Sequence, residues 1–256
     1  MGLFNFLKKK EIGEKDATLP VKEEKKGYYG DLEKTAILTH LFEVAKENRD
    51  EAWNNDFLSH VAEASFACGN PQVIQGPDGF PYFQLETPES NKPFQCYVIS
   101  HMIPDFILER GIGIVVNAHK GDPDWVFSYG SLVNFAIRNQ FYTPAVNLQL
   151  PKEETLQQDE QVLIGKPSEE FLPQTVRHIL RQFIEQQGIR DVKIALMSRK
   201  YDDLVLLELV TNLTPHKTGE QLYEALQTHL KWFLPNHYSV IAMDEDSSLK
   251  DDFEPL

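Results

Sequence analysis

The sequence predicts an α+β protein of two domains, the C-terminal one a ferredoxin-like β-α-β-β-α-β sandwich. Three observations predict it. Between Gln161 and Met243 the spacing of apolar residues switches in turn between strand-like and helical periods. At Asp31 a polar, lysine-rich opening gives way to spaced apolar residues. From Tyr142 to Glu160, Pro144, Pro151 and a Lys/Glu/Gln run separate two apolar-patterned halves. The expected division is a disordered tail and linker over 1–30, a domain over 31–150, and a domain over 155–256 with an acidic tail.

Met1 to Lys26 carries Leu3, Phe4, Phe6 and Leu7 before Lys8, Lys9 and Lys10, then almost no apolar residue. That is too little apolar surface to order a segment. The apolar part is too short for a membrane span, and its basic residues follow it where a secretory signal has them first. Gly2 suits myristoylation, but Phe6 stands where Ser or Thr is needed. The expectation is a disordered end, with an amphipathic membrane or partner contact as the competing reading.

From Asp31, Ile37, Leu38, Leu41, Phe42 and Ala45 recur at helical spacing, and Trp53, Phe57, Val61, Ala64 and Phe66 give a second helix. Gln72–Gln75 and Tyr82–Leu85 flank Gly76-Pro-Asp-Gly79, whose Pro-Asp-Gly core predicts a hairpin turn. Phe94–Ile99 reads as a third strand, Pro104–Glu109 as a short helix broken by Gly111, and Ile112–Val116 as a buried strand. A helix from about Ser131 to Asn139 closes this half.

In the C-terminal half, Gln161–Ile164 is a short strand closed by Gly165 and Pro167. Ser168 is placed to cap a helix with Glu169, Glu170 and Pro173 in its first turns, and Gly188 stops it. Leu172, Val176, Ile179, Leu180, Phe183 and Ile184 form its apolar face. Val192–Met197 and Leu204–Val210 across Lys200-Tyr-Asp-Asp203 predict an antiparallel hairpin. Thr218 can cap a second helix carrying Leu222, Leu226, Leu230 and Phe233, ended by Pro235. Tyr238–Met243 returns as the last strand. This order matches a four-stranded antiparallel sheet with both helices on one face.

Leu163-Ile-Gly-Lys-Pro-Ser-Glu-Glu-Phe-Leu-Pro173, Gly188-Ile-Arg-Asp-Val192 and Leu234-Pro-Asn-His-Tyr-Ser-Val240 resemble the C-terminal domain of SseB-type proteins, named for enhanced serine sensitivity. Asp78-Gly-Phe-Pro81 and Gly111-Ile-Gly-Ile-Val-Val-Asn117 are similar, more loosely, to the SseB N-terminal domain. The resemblance implies a bacterial, cytoplasmic protein and brings no catalytic motif with it.

The net charge of -14 removes nonspecific nucleic-acid binding, because a phosphate backbone is held by an excess of Lys and Arg. Cys68 and Cys96 lack Cys-x-x-Cys spacing, so no zinc site or redox pair is indicated; they read as reduced core residues. The chain is 41% apolar over 256 residues, which suffices for two modest cores.

Four constellations bear on chemistry. His40 with Glu43 and His60 with Glu63 stand one helical turn apart, but His-x-x-Glu reverses the Glu-x-x-His order of di-iron bundles, so no metal is expected. The loop Asn117-Ala-His-Lys-Gly-Asp-Pro-Asp-Trp125 follows a buried strand. As an enzyme, a hydrolase would use His119 as base, Asp122 or Asp124 to orient it and Ser128 as nucleophile, although no nucleophile elbow is present. As a binding site, the loop would use His119, Asp124 and Trp125. Gly76–Gly79 and Gly165-Lys-Pro-Ser168 lack the ending of a phosphate loop. Asp244–Asp246 and Asp251–Glu254 lack the spaced ligands of an EF-hand and read as a solvated tail. The expectation is a non-catalytic cytoplasmic module that binds another protein, without cofactor, nucleic acid or stable membrane insertion. A hydrolase at the His119 loop is the alternative.

Overall fold

The computed structural model describes residues 29–143, 162–201, 204–245 and 251–256, and in it each half of the chain builds its own sheet. The expected disordered tail, nearly all of the 142–160 connection and the tip of the Lys200–Asp203 turn lie outside the described residues.

The N-terminal half opens with helices α1 (Leu32–Leu41) and α2 (Glu51–Val61). Their caps are Asp31 and Asp50, whose carboxylates accept the otherwise unpaired backbone N–H groups of Glu33, Lys34 and Trp53. Strands β1 (Ala67–Gln75) and β2 (Pro81–Glu86) form the expected antiparallel hairpin around the Pro-Asp-Gly turn. Phe94–Ile99 is not a strand: apart from one bridge between Phe66 and Tyr97 the segment is irregular, and a helix begins at Ile99. The reason is topological. Strand β3 (Gly113–Val116) lies parallel to β2, so the chain must cross over between them, and a helix over 99–110 makes that crossover. It comprises α3 (Ile99–Met102), a wider π turn (Ile103–Ile107) holding Pro104, and α4 (Leu108–Arg110). Gly111, with φ +63, ends it in the left-handed conformation glycine tolerates. Strand β4 (Trp125–Phe127) pairs antiparallel with β3 at the sheet edge, and α5 (Tyr129–Arg138) follows.

β3 is apolar throughout because both its faces are covered. Ile114 and Val116 pack with Phe83, Leu85, Phe57 and Ile107, while Val115 faces the other way with Tyr82.

The C-terminal half runs β5 (Val162–Gly165), α6 (Gln174–Gln186), β6 (Lys193–Tyr201), β7 (Leu204–Thr211), α7 (Pro215–Thr218), α8 (Glu220–Phe233), β8 (Tyr238–Ala242) and β9 (Glu254–Pro255). Two caps differ from expectation. α6 starts after Pro173, and the free N–H of Gln174 is met by Glu169 Oε2 at 3.0 Å, so Ser168 closes the preceding turn instead. Thr218 ends the short α7, and Gly219, with φ +81, turns the chain into α8.

The element succession is the expected one, but the sheet is not ferredoxin-like. Its order is β5-β6-β7-β8, with β5/β6 and β6/β7 antiparallel and β7/β8 parallel. A ferredoxin-like sheet separates sequential strands joined by a helix, whereas here each strand sits beside its predecessor. Both helices do cover one face: Val176, Leu180, Leu226 and Leu230 pack on Ile194, Leu209 and Val240. On the opposite face Arg199 and Glu208 form a buried two-pronged pair at 2.7 and 2.9 Å, joined by Ser239 Oγ at 3.1 Å. β9 pairs with the start of β6 on the edge that β5 continues, and Leu256 is buried in the helix-side core. Glu254 accepts from Arg177 Nη1 at 2.8 Å. Within the described acidic end Asp244 and Asp251 are exposed, as expected, whereas Glu254 and Leu256 are anchored by an ion pair, one strand pairing and burial.

The helix-side core draws on both halves. Phe80 stacks on Trp232, and Trp232 Nε1 donates to the Tyr82 hydroxyl at 2.7 Å. Gly130 allows α5 to approach the end of α8 closely: a Cβ there would lie 1.9 Å from the Leu234 carbonyl oxygen. Among the described residues no helix is long and apolar enough to cross a membrane.

Candidate functional site

The loop from Asn117 to Trp125 is built around a buried carboxylate. β3 ends at Val116, and Asn117 turns the chain with φ +58, a conformation asparagine tolerates better than most residues. Its side chain accepts from Thr87 N at 2.9 Å and donates to Asp124 Oδ2 at 2.8 Å. A short turn over Ala118–Lys120 and Gly121, with φ +87, bring the chain back so that Asp124 N donates to Val116 O at 2.9 Å.

Asp124 is 7% exposed and lies between two cations. Arg49 Nη2 donates to its Oδ1 at 2.7 Å and Lys120 Nζ to its Oδ2 at 2.5 Å. Arg49 Nη1 also holds the Asp124 carbonyl at 3.0 Å, and its guanidinium lies 4.5 Å from the Trp53 ring centroid. Burial pushes the carboxyl pKa up, but donation from Arg49, Lys120 and Asn117 outweighs it, so the pKa falls below the ordinary value. Both oxygens are occupied in holding the loop, which leaves Asp124 as a scaffold rather than a contact residue.

The remaining residues do not converge on a reaction centre. His119 is half exposed, and its carboxylate neighbour is Glu86, with Nδ1 3.3 Å from Oε1. Asp122 points to solvent and pairs with Lys46 at 2.5 Å. Ser128 caps α5, accepting from Ser131 N at 3.2 Å. A serine nucleophile needs a base within hydrogen-bond reach and that base needs an orienting acid; among the described residues no hydrogen bond joins His119 to Ser128, Asp122 or Asp124.

Trp125 is half buried, its indole packed 4.6 Å from Phe57 and 5.9 Å from Trp53 between ring centroids. Val126, next along the edge strand, is exposed. Alternation thus turns Trp125 mostly inward and Val126 outward. Sequence reasoning missed Arg49 and Glu86, which reach the loop from α2's approach and from β2; no local signal links them to it.

The helical His/Glu pairs separate. His40 Nδ1 lies 3.1 Å from Glu43 Oε2 on an exposed face, whereas His60 turns to Asp56 and Glu63 pairs with Lys34. Among the described residues no three His, Cys, Asp or Glu side chains gather as metal ligands would. Cys68 and Cys96 are free and partly buried, and burial raises the Cys68 thiol pKa.

No protein-family model, curated protein or solved structure matches this chain.

Proposed function

We propose that this chain is a non-catalytic, cytoplasmic accessory module of the SseB type that binds another protein through the edge of its N-terminal sheet. The contact surface is the exposed face of Val126, the open rim of Trp125 and the neighbouring imidazole of His119. The observation that carries this reading is the occupancy of Asp124: a carboxylate tied to Arg49, Lys120 and Asn117 rigidifies the loop and is withdrawn from acid/base work. A pre-organised loop beside an edge strand with an outward apolar residue favours recognition over turnover. The hydrolase alternative at His119, Asp122, Asp124 and Ser128 has no such support.

The test is a photo-crosslinking residue placed at Val126 of the full chain in its native cell, with Glu109 on another exposed face as control. A discrete crosslinked polypeptide from Val126, absent from Glu109 and lost when His119→Ala is combined with Lys120→Ala, is expected. Crosslinking that does not differ between the two positions would overturn the proposal. Ester hydrolysis by the purified chain that disappears in His119→Ala would replace it with the catalytic reading.

A further inference from the structure

A cleft of about 550 Å³ opens where the two halves meet. Its floor is the helix-side face of the C-terminal sheet beyond the reach of α6 and α8, made by Leu163, Leu196 and Leu207. Its walls come from separate parts of the chain. Arg138 ends α5, Lys166 follows β5, and His237 precedes β8. Lys166 and His237 lie about seventy positions apart in the chain.

Three features of this cleft need a common explanation. First, Arg138 and Lys166 have no carboxylate partner among the described residues. In a chain with 39 acidic and 25 basic residues, two unmatched cations lining one cleft are a local positive field in a negative molecule. Second, both ring nitrogens of His237 are buried without a hydrogen-bond partner among the described residues, which costs free energy unless another group meets them. Third, the floor is apolar and open: Leu163 is 76% exposed, the highest value for a large aliphatic side chain among the described residues. Positive rim, unmet hydrogen-bonding groups and bare apolar floor are complementary to one kind of molecule, and the cleft volume falls in the range of small-ligand sites, about 300–1,000 Å³.

We propose that this cleft binds a small amphipathic anion, a carboxylate on an apolar body, with the carboxylate held by Arg138 and Lys166 and hydrogen-bonded by His237, and the body laid over Leu163, Leu196 and Leu207. The imidazole is suited to this as a neutral group, because burial and Arg138 push its pKa down to about 4. One nitrogen then carries a proton to donate to the carboxylate. The site is separate from the Val126 surface and does not depend on that reading.

Isothermal titration of the full chain with decanoate, decan-1-ol and butyrate, all below micellar concentrations, tests it. Decanoate is expected to bind one class of sites, and the alcohol and the short acid to bind about tenfold more weakly or worse, since each lacks half of the complementarity. The double variant Arg138→Gln, Lys166→Gln should weaken decanoate by about tenfold or more while leaving the ligand-free melting temperature unchanged, because neither cation has a carboxylate partner among the described residues. Leu163→Asp, at an exposed position, should abolish binding. The proposal is overturned if decanoate shows no saturable binding to millimolar concentration, if decan-1-ol binds as tightly, or if the double variant binds decanoate as the native chain does.

Discussion

The Phe80 ring lies on the Trp232 indole with centroids 4.1 Å apart and planes 6° from parallel. One ring comes from the turn of the first hairpin and the other from the last helix, and the same indole donates to Tyr82, 150 positions away in the chain. The two halves therefore share side chains in one core rather than touching at a polar seam.

Trp232→Ala should lower stability by about 3 kcal/mol, the usual range for deleting a large aromatic from packed surroundings. Because the loss falls on both halves, chemical denaturation followed by N-terminal tryptophan fluorescence and by far-ultraviolet circular dichroism should shift together. A shift confined to the circular dichroism signal would mean that the halves unfold independently.

Asp124→Asn should cost about 3 kcal/mol, since it leaves the Arg49 guanidinium buried without its counter-charge. His119→Ala, at a half-exposed position, should stay within about 0.5 kcal/mol. Urea unfolding of the two variants measures both, and an equal effect would contradict the scaffold role given to Asp124.

His237 should titrate near pH 4 rather than near its ordinary 6.5, because burial and Arg138 disfavour the imidazolium. The unfolded chain then takes up a proton before the folded one does, so this group's stability contribution is full above pH 6.5 and falls as the pH drops toward 4. Glu245 adds a second loss at lower pH. Its pKa is held down to about 2 chiefly by Lys193, with Asn212 and Lys217, so its contribution is full above 4.5 and falls toward 2. Melting temperature against pH should decline through both windows, and His237→Gln should flatten only the upper one. Ring-proton titration by NMR checks the His237 value directly.

Much of the local structure was legible in the residues. The Pro-Asp-Gly turn, the run Gly113-Ile-Val-Val116, the apolar face from Val176 to Ile184 and the Val192–Val210 hairpin each follow from spacing and turn chemistry that neighbouring residues impose. Phe94–Ile99 misled because a short apolar run fits a strand or the entry to a buried helix equally well. Its state was decided by the need to cross from β2 to a parallel β3.

The amino-acid sequence by itself determined most of the helices and strands and which of their faces are apolar, because those properties are largely set within a few residues along the chain. Only the tertiary structure decided the order β5-β6-β7-β8, the capture of Asp124 by Arg49, the anchoring of Leu256, and the meeting of Arg138, Lys166 and His237 in one cleft. Each of these joins groups far apart in the chain. Their pairing depends on which surfaces are buried together when the sheets pack, and spacing along the sequence carries no record of that.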